Sequence, residues 1–403
     1  MENESNSSLK LHVFDVGHGD SLVLEFPEQS SFAIIDCNRH KESHRGFGDD
    51  FDQSEPKALT YFRHLVDKGE APIIEFACLT HAHIDHYRGY GILLKGLAEL
   101  GIKVKSFWDF GVAARKARAI LRLPDIEPFR ELKDEMVRFL QAQDALIKQG
   151  MDRKILVNPT ESFWSKCNVE IDLLAPHANQ FDTYANYLTL NTAKERQQFR
   201  HSLRKRGCLT DNTQSCRCYF DDNVVSSALL VRYGKCRLLL AGDITNCSWR
   251  GVLSRCNIIN PQCNCIKISH HGSVEGNFPY GEQNLYEIIK IPESELIAII
   301  SGGYRFDLPH EVTLSSLQAA KCETYCTGSG VTATLRPYIP PFYTMELIPL
   351  LLKTMCFVEH HEQTAESTGD FPCGHGNVTV ECFSNGDRRV TPEFGCSIYA
   401  PAG

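Results

Sequence analysis

The chain has 403 residues, 42% hydrophobic and 23% charged, the balance of a folded globular protein rather than a disordered one. No apolar run is long enough for a membrane helix, and a formal net charge of −8 argues against a surface that attracts nucleic acid as a whole. The polar start, Met1 to Lys10, has no basic segment leading into an apolar one, which predicts no secretory signal, a cytoplasmic location and mostly reduced thiols among 17 cysteines.

Short apolar runs dominate the beginning. Leu11 to Val16, Leu22 to Phe26 and Phe32 to Ile35 read as strands, with Gly17 and Gly19 in the first turn. Residues 38–57 are polar and read as a loop. Ile73 to Thr80 is a buried strand, and Tyr87 to Leu100 has the leucine spacing of a helix. Residues 112–150 read as a helical insertion: Ala113 to Leu123, a break at Pro124, then Phe129, Leu132, Met136, Phe139 and Leu140 at helical spacing. Val169 to Leu174 returns to strand character. A second insertion, 178–222, is basic and contains cysteines. Ser227 to Tyr233 and Cys236 to Ala241 form a hairpin, and Cys265 to Ser269 and Leu296 to Ser301 are further buried strands. The tail, 341–403, is read as an extension with a hairpin from Val378 to Val390 around Asn385-Gly386.

Several of these strands run straight into potential metal ligands. Cys78 to Thr80 leads to His81, Leu238 to Gly242 to Asp243, and Ile266 to Ser269 to His270. A fourth strand ends at Ser301, with His310 soon after. Strand ends in α/β layers share an edge, so residues remote in sequence converge at one rim. The densest group is His81-Ala82-His83-Ile84-Asp85-His86: imidazoles and a carboxylate within one turn can serve two adjacent cations, zinc first and manganese second. A solvated His-rich loop is the plain alternative, disfavoured by the apolar strand before it and the helix after it.

The same segment resembles the signature of the metallo-β-lactamase superfamily. Asp15-Val16-Gly17-His18-Gly19-Asp20-Ser21, Ile35-Asp36-Cys37, Asn223-Val224-Val225-Ser226, Leu240-Ala241-Gly242-Asp243, Ser269-His270-His271-Gly272-Ser273 and Leu308-Pro309-His310 follow in order. Together they resemble the branch typified by the hydrolase domain of ComEC-like competence proteins, over about residues 9–340 apart from the insertions.

The resemblance implies an α/β fold, a four-layer αββα sandwich over residues 1–340 with two insertions and the C-terminal extension. It implies two divalent metal ions. His81 and His83 match ligands of the first, Asp85 and His86 ligands of the second, Asp243 the carboxylate bridging both, and His310 the last ligand of the second. His270 stands where relatives keep a proton-shuttling histidine or a further ligand, and is paired with Asp85 as a candidate catalytic residue. Asn223 stands where many relatives place another first-metal histidine, which leaves that metal's ligand set open. His18, Asp20 and His271 fall near the site, and Asp36 is either a ligand or a hydrogen-bond partner of one.

The activity implied is hydrolysis by a hydroxide shared between the cations, foremost of phosphodiesters in DNA or RNA. Small phosphodiesters such as cyclic nucleotides, or other esters, are the nearest alternative, and a non-catalytic subunit of a multi-protein system is another. Arg196, Arg200, Arg204, Lys205 and Arg206 are candidate nucleic-acid contacts, though a solvated helix face explains them as well. No membrane partner is expected, while the insertions and the extension offer surface to a protein partner. Buried thiols are the simplest reading of Cys208, Cys216, Cys218, Cys263 and Cys265; the tail's Cys373, His375, Cys382 and Cys396 are a remoter zinc option.

Overall fold

Alternation decides the faces of the first strand. In β1 (Leu9–Val13), Leu9, Leu11 and Val13 are buried, while Lys10 and His12 are partly exposed. The computed structural model describes residues 7–28, 30–39, 55–111, 120, 129–190, 194–195, 197–199, 201, 222–279, 283–302, 308–327 and 377–393. The polar segment 40–54, the helix expected at 113–123 apart from Ile120, the basic residues from Arg196 to Arg206 and most of the extension lie outside those residues.

Two sheets form the middle of the molecule. The first contains β1, β2 (Ser21–Glu25), β3 (Ser31–Cys37), β4 (Ile73–Cys78), β5 (Lys103–Val104), β6 (Ser106–Asp109) and β7 (Asp152–Ile155). The second contains β8 (Thr160–Lys166), β9 (Val169–Ala175), β10 (Ala228–Tyr233), β11 (Cys236–Leu240), β12 (Cys265–Lys267), β13 (Ile297–Ile300) and β14 (Glu323–Cys326). The tail hairpin, β15 (Val378–Cys382) and β16 (Arg388–Pro392), adds antiparallel to β1 and so extends the first sheet at its edge.

Three apolar layers follow from this arrangement. Leu11, Leu24, Ile35, Phe76, Trp108, Val231 and Leu238 fill the space between the sheets. On the outer face of the first sheet lie α1 (Lys57–Asp67), α3 (Tyr90–Glu99) and α4 (Phe129–Lys148), through Leu59, Phe62, Leu94, Leu97, Met136 and Phe139. The outer face of the second is covered by α6 (Asn246–Leu253), α8 (Leu285–Ile289) and α9 (Glu311–Ala319), through Trp249, Ile289 and Leu317. The shorter α2 (Ile84–Tyr87), α5 (Ala178–Thr189) and α7 (Val274–Asn277) sit at the connections. This is the four-layer α/β sandwich expected from the sequence. Among the described residues no helix is long and apolar enough to cross a membrane.

The helix expected over Tyr87 to Leu100 is broken. Gly89 N–H donates to Cys37 O at 2.7 Å, and a Cβ there would meet Cys37 Sγ at 2.6 Å. The chain therefore presses against the end of β3 and restarts as α3, which separates the short histidine-bearing turn from the long helix. Residues 103–109 and 152–166 form strands β5 to β8, which sequence patterning did not register. β7 and β8 carry mostly exposed or half-buried side chains and pair at sheet margins, where apolar alternation is weakest. All eleven described cysteines are free thiols, Cys263 and Cys265 among them buried in strand contacts.

Glu25 ties β1 and β2 to α1. It accepts hydrogen bonds from Lys10 Nζ at 2.8 Å, His12 Nε2 at 3.3 Å and Tyr61 Oη at 3.2 Å. Burial works to raise its pKa, but the bonds from His12 and Lys10 prevail and hold it at about 2, below its ordinary 4.5. A depressed carboxyl stabilises the fold above its unfolded pKa and loses that contribution as pH falls through the folded one. Glu25→Gln is expected to cost about 1–2 kcal/mol at neutral pH, after allowance for solvent screening. The difference should shrink below pH 4.5 and vanish near pH 2, as read from denaturant unfolding at a series of pH values.

Candidate metal centre

Parallel strands bring the chemistry to one edge. β3 and β4 are parallel neighbours in the first sheet, and β11, β12 and β13 are parallel neighbours in the second. Their C-terminal ends deliver Asp36, His81, Asp243, His271 and Ser301. Ser227 N–H donates to Thr80 O at 3.1 Å, joining the two rims beside the site.

The turn after β4 is held by Asp36, itself at a left-handed φ of 54°. Asp36 accepts from Thr80 N–H at 2.8 Å, Thr80 Oγ1–H at 2.7 Å and His86 Nδ1–H at 2.7 Å. Because the Thr80 hydroxyl spends its proton on Asp36, it can only accept from His81 Nδ1–H, 3.1 Å away. His271 is fixed in the same sense, its Nδ1–H donating to Ser301 O at 2.9 Å. Three buried imidazoles thus turn Nδ1–H outward to fixed acceptors and aim Nε2 inward. None of those Nε2 atoms, nor Asp243 Oδ1, has a hydrogen-bond partner.

Asp243 Oδ2 lies at the focus, 3.3 Å from His86 Nε2, 3.5 Å from His271 Nε2 and 3.8 Å from His81 Nε2. Gly242 makes this position reachable. Its φ is +52°, and a Cβ would stand 2.7 Å from Ser226 Oγ, the atom that accepts from Asp243 N–H at 2.9 Å. Asp85 Oδ2 lies 3.5 Å from His271 Nε2, 4.0 Å from His86 Nε2 and 3.1 Å from His18 Nε2. Two compact triads result, His81–His86–Asp243 and His18–Asp85–His271; a third, Asp20–Asp36–His86, lies deeper.

The electrostatics of this cluster call for positive charge. Burial opposes protonation of His86, yet Asp243 and Asp36 outweigh it and hold its pKa well above the ordinary value. Burial also opposes protonation of His271, but Asp243, Asp85 and Asp20 push it up to about 9. Burial would raise Asp85, but His18 and His271 hold it well below the usual carboxylate range. Buried donors of this chemistry, inward lone pairs beside carboxylates, fit one or two divalent cations, with imidazolium protons standing in for them.

Beneath the triads runs a buried polar chain. Lys267 and Ser301 Oγ both bond Asp20, and Asp20 Oδ1 lies 3.7 Å from His271 Nδ1. Asp20 is thereby a support of His271. Its own backbone N–H donates to Asp85 O at 3.2 Å, an approach open only because Gly19, at φ +123°, lacks a Cβ.

The remaining expected site residues are spread around this centre. His18 stands on Asp85 and against the His271 ring, at 4.5 Å between centroids. Its pKa is lowered, by burial first and by His271 next. His83 is half-buried, 4.7 Å from the His81 ring, and its Nε2 lies 3.4 Å from Asp222 Oδ2. His270 leaves the centre through left-handed backbone at φ 48°, with Nε2 3.4 Å from the Asn223 amide nitrogen. His310 is built the opposite way: its Nδ1 accepts from Val274 N–H at 3.0 Å, so the neutral ring carries its proton on Nε2 and has no lone pair to give. It joins none of the triads formed among the described residues, whereas His271 joins one.

Sequence reading passed over Thr80, Asp222, Lys267 and Ser301. Lys267 had a signal: a lone charge inside the apolar run Cys265 to Ile268 demands a buried partner. The two hydroxyls had none, because their role depends on which atom each faces.

Asp36→Ala is expected to strand the Thr80 N–H and His86 Nδ1–H donors and to destabilise the protein by about 2–5 kcal/mol. It should weaken divalent-metal binding about 10–100-fold while leaving the stoichiometry unchanged. Calorimetric metal titration checks this, and loss of a whole metal equivalent would instead make Asp36 a ligand.

No protein-family model and no curated protein matches the chain. Among solved structures it is similar to a metal-dependent hydrolase of the β-lactamase superfamily, at 11% identity and TM-score 0.36, over 80% of this chain and 96% of that one. It is similar also to a Thermotoga maritima protein whose metallo-β-lactamase assignment is itself provisional, at 12% identity and TM-score 0.29, over 66% and 88%. A protein of unknown function from Enterococcus faecalis V583 aligns at 11% identity and TM-score 0.28, over 69% of this chain and 53% of that one. Overlaps this loose say nothing of what this chain acts on.

Proposed function

We propose that this chain is a metal-dependent hydrolase with a metallo-β-lactamase-type centre, acting on phosphodiesters. The observation that carries the metal-centre part of this reading is the tautomer pattern, and the phosphodiester part rests on the sequence resemblance. His81, His86 and His271 all spend Nδ1–H on fixed acceptors and converge their Nε2 atoms on one carboxylate. A purely structural histidine cluster has no reason to leave three buried ring nitrogens and a carboxylate oxygen unsatisfied.

His81, His86, His271, Asp85 and Asp243 would hold the cations. A divalent cation bound there lowers the pKa of water and stabilises charge growing on phosphoryl oxygens. The chain's own residues supply the rest. Asp36, through Thr80 and directly, keeps His81 and His86 in the donor tautomer. Lys267 and Ser301 anchor Asp20 behind His271, so that ring cannot swing. His18 donates to Asp85 and fixes the carboxylate rotamer. His270 stands beside the centre, its ring 6.2 Å from that of His271; with the Asn223 amide donating to its Nε2, its proton sits on a buried Nδ1. α5 packs against the 222–225 turn next to His83, which brings part of the second insertion close to the centre.

The test is hydrolysis by metal-loaded protein of single- and double-stranded DNA, RNA, cyclic dinucleotides and a chromogenic diester, with zinc and manganese each supplied. Turnover is expected to fall more than about a hundred-fold in an Asp85→Ala/His86→Ala variant. Cleavage of polymers supports a nuclease, and cleavage confined to small diesters supports a narrower phosphodiesterase. No turnover of any diester by protein with bound metal defeats the phosphodiester reading.

A paired measurement separates the two candidates for the last ligand. His271→Ala is expected to lose about one metal equivalent by elemental analysis. His310→Ala is expected to keep full metal content, with a stability cost of about 1–3 kcal/mol for the stranded Val274 N–H.

A further inference from the structure

We propose that α4, the helix of the first insertion, is a positioning element of the metal centre, acting through a buried ion pair between its Glu135 and Arg39. The inference rests on the metal-centre reading above and extends it to contacts outside the candidate ligands.

The segment Asp36 to Arg39 links two stretches that carry site residues. Asp36 holds Thr80 and His86. Cys37 O accepts from Gly89 N–H at 2.7 Å, just beyond the histidine turn. Asn38 turns the other way: its N–H donates to Asp20 O at 2.8 Å, and its Nδ2–H donates to His18 O at 2.6 Å. Consecutive residues therefore set the spacing between the His18–Asp20 stretch and the Thr80–Gly89 stretch. β3 ends at Cys37, so the sheet no longer holds Asn38 and Arg39.

Glu135 takes hold at that point. Arg39 Nη2 donates to Glu135 Oε1 at 2.7 Å, with the two side chains 4% and 2% exposed. Arg138 Nη1, one turn along α4, donates to the same oxygen at 3.0 Å. The helix reaches the histidine turn as well. Glu131, one turn before Glu135, has its Oε1 3.1 Å from Arg88 Nε, and Leu132 O accepts from Tyr87 Oη at 3.3 Å. α4 thus grips the chain just after Asp36 and just after His86, the two residues whose 2.7 Å hydrogen bond orients the His86 ring. It is a firm support, because the Phe139 ring packs 5.6 Å from that of Phe107 and 5.8 Å from that of Tyr90 in the core.

Stability is a weak reason for such a pair. Taking two charges out of water costs about as much as their attraction returns, and apolar side chains of similar volume would fill the space equally well. Met136, Phe139 and Leu146 on the same helix do so. An apolar contact lacks direction, whereas a guanidinium bonded to a carboxylate fixes the chain that carries it.

The experiment reads the geometry of bound metal. Cobalt(II) is titrated into metal-free full-length protein and followed by visible absorption, whose band position reports the arrangement of ligands. An Arg39→Met/Glu135→Met variant replaces the pair by apolar chains. Its metal-free form is expected to unfold at a denaturant midpoint no lower than that of wild type. It should bind as many cobalt ions as wild type, because no ligand is lost, but about tenfold more weakly and with a displaced band. The band is read at saturation, where a change in stability alone does not move it. If that variant does not fold, Arg88→Met/Glu131→Met carries the same test nearer the surface, at side chains 12% and 16% exposed. Wild-type affinity with an unmoved band in the variant that folds would make the pair merely structural and overturn the proposal, leaving the metal-centre reading intact. Failure of wild type to bind cobalt would overturn both.

Discussion

The Asp36 carboxylate is the contact on which the centre depends. It ends β3, lies against the turn after β4, and takes three hydrogen bonds from Thr80 and His86. Those bonds do more than hold a loop. They dictate which nitrogen of His86, and through the Thr80 hydroxyl which nitrogen of His81, carries the proton. A ring whose Nδ1–H is committed to a buried acceptor has one lone pair left, and the backbone decides where it points. Asp36 is fully buried, and burial raises its pKa above the ordinary carboxylate value against the opposing pull of His86 and the Thr80 hydroxyl.

Charge balance explains why the rest of the site has its form. Asp20, Asp36, Asp85 and Asp243 are crowded where water is excluded. Unpaired carboxylates there would cost several kcal/mol each. Lys267 answers Asp20 permanently, because both are sealed in the interior. Among the described residues the neighbours that answer Asp243 are imidazoles, which can hand over their protons in exchange for a metal ion. The deep layer is thus a fixed ion pair and the upper layer an exchangeable one. Glycine at 19 and 242 lets the backbone come close enough for both layers to exist.

Much of the fold was legible because its signals are local. The strands β2, β3, β4, β10 and β11 are continuous apolar runs, and the helix α4 carries its period plainly. β7 and β8 were hidden because margin strands bury too little to pattern their sequence. The break before α3 was hidden because Gly89 is constrained by Cys37, fifty-two residues earlier in the chain. In the site, His81, Asp85, His86 and Asp243 were legible from their order and their place at strand ends. His310 was read as the last ligand and His271 only as a residue near the site, since each is one histidine beside a glycine or proline, and only the identity of the hydrogen-bond partner separates them.

Sequence alone determined that this chain would form apolar strands and carry histidines and aspartates to their ends, because hydrophobic period and residue order are properties of neighbours along the chain. Tertiary structure decided which of those groups meet, which ring nitrogen each presents, and that Asp222 rather than Asn223 turns to His83. Such choices hang on partners 30 to 50 residues away, Asp36 for His86, Ser301 for His271, Val274 for His310, and hydrogen-bond direction exists only once those partners are in place.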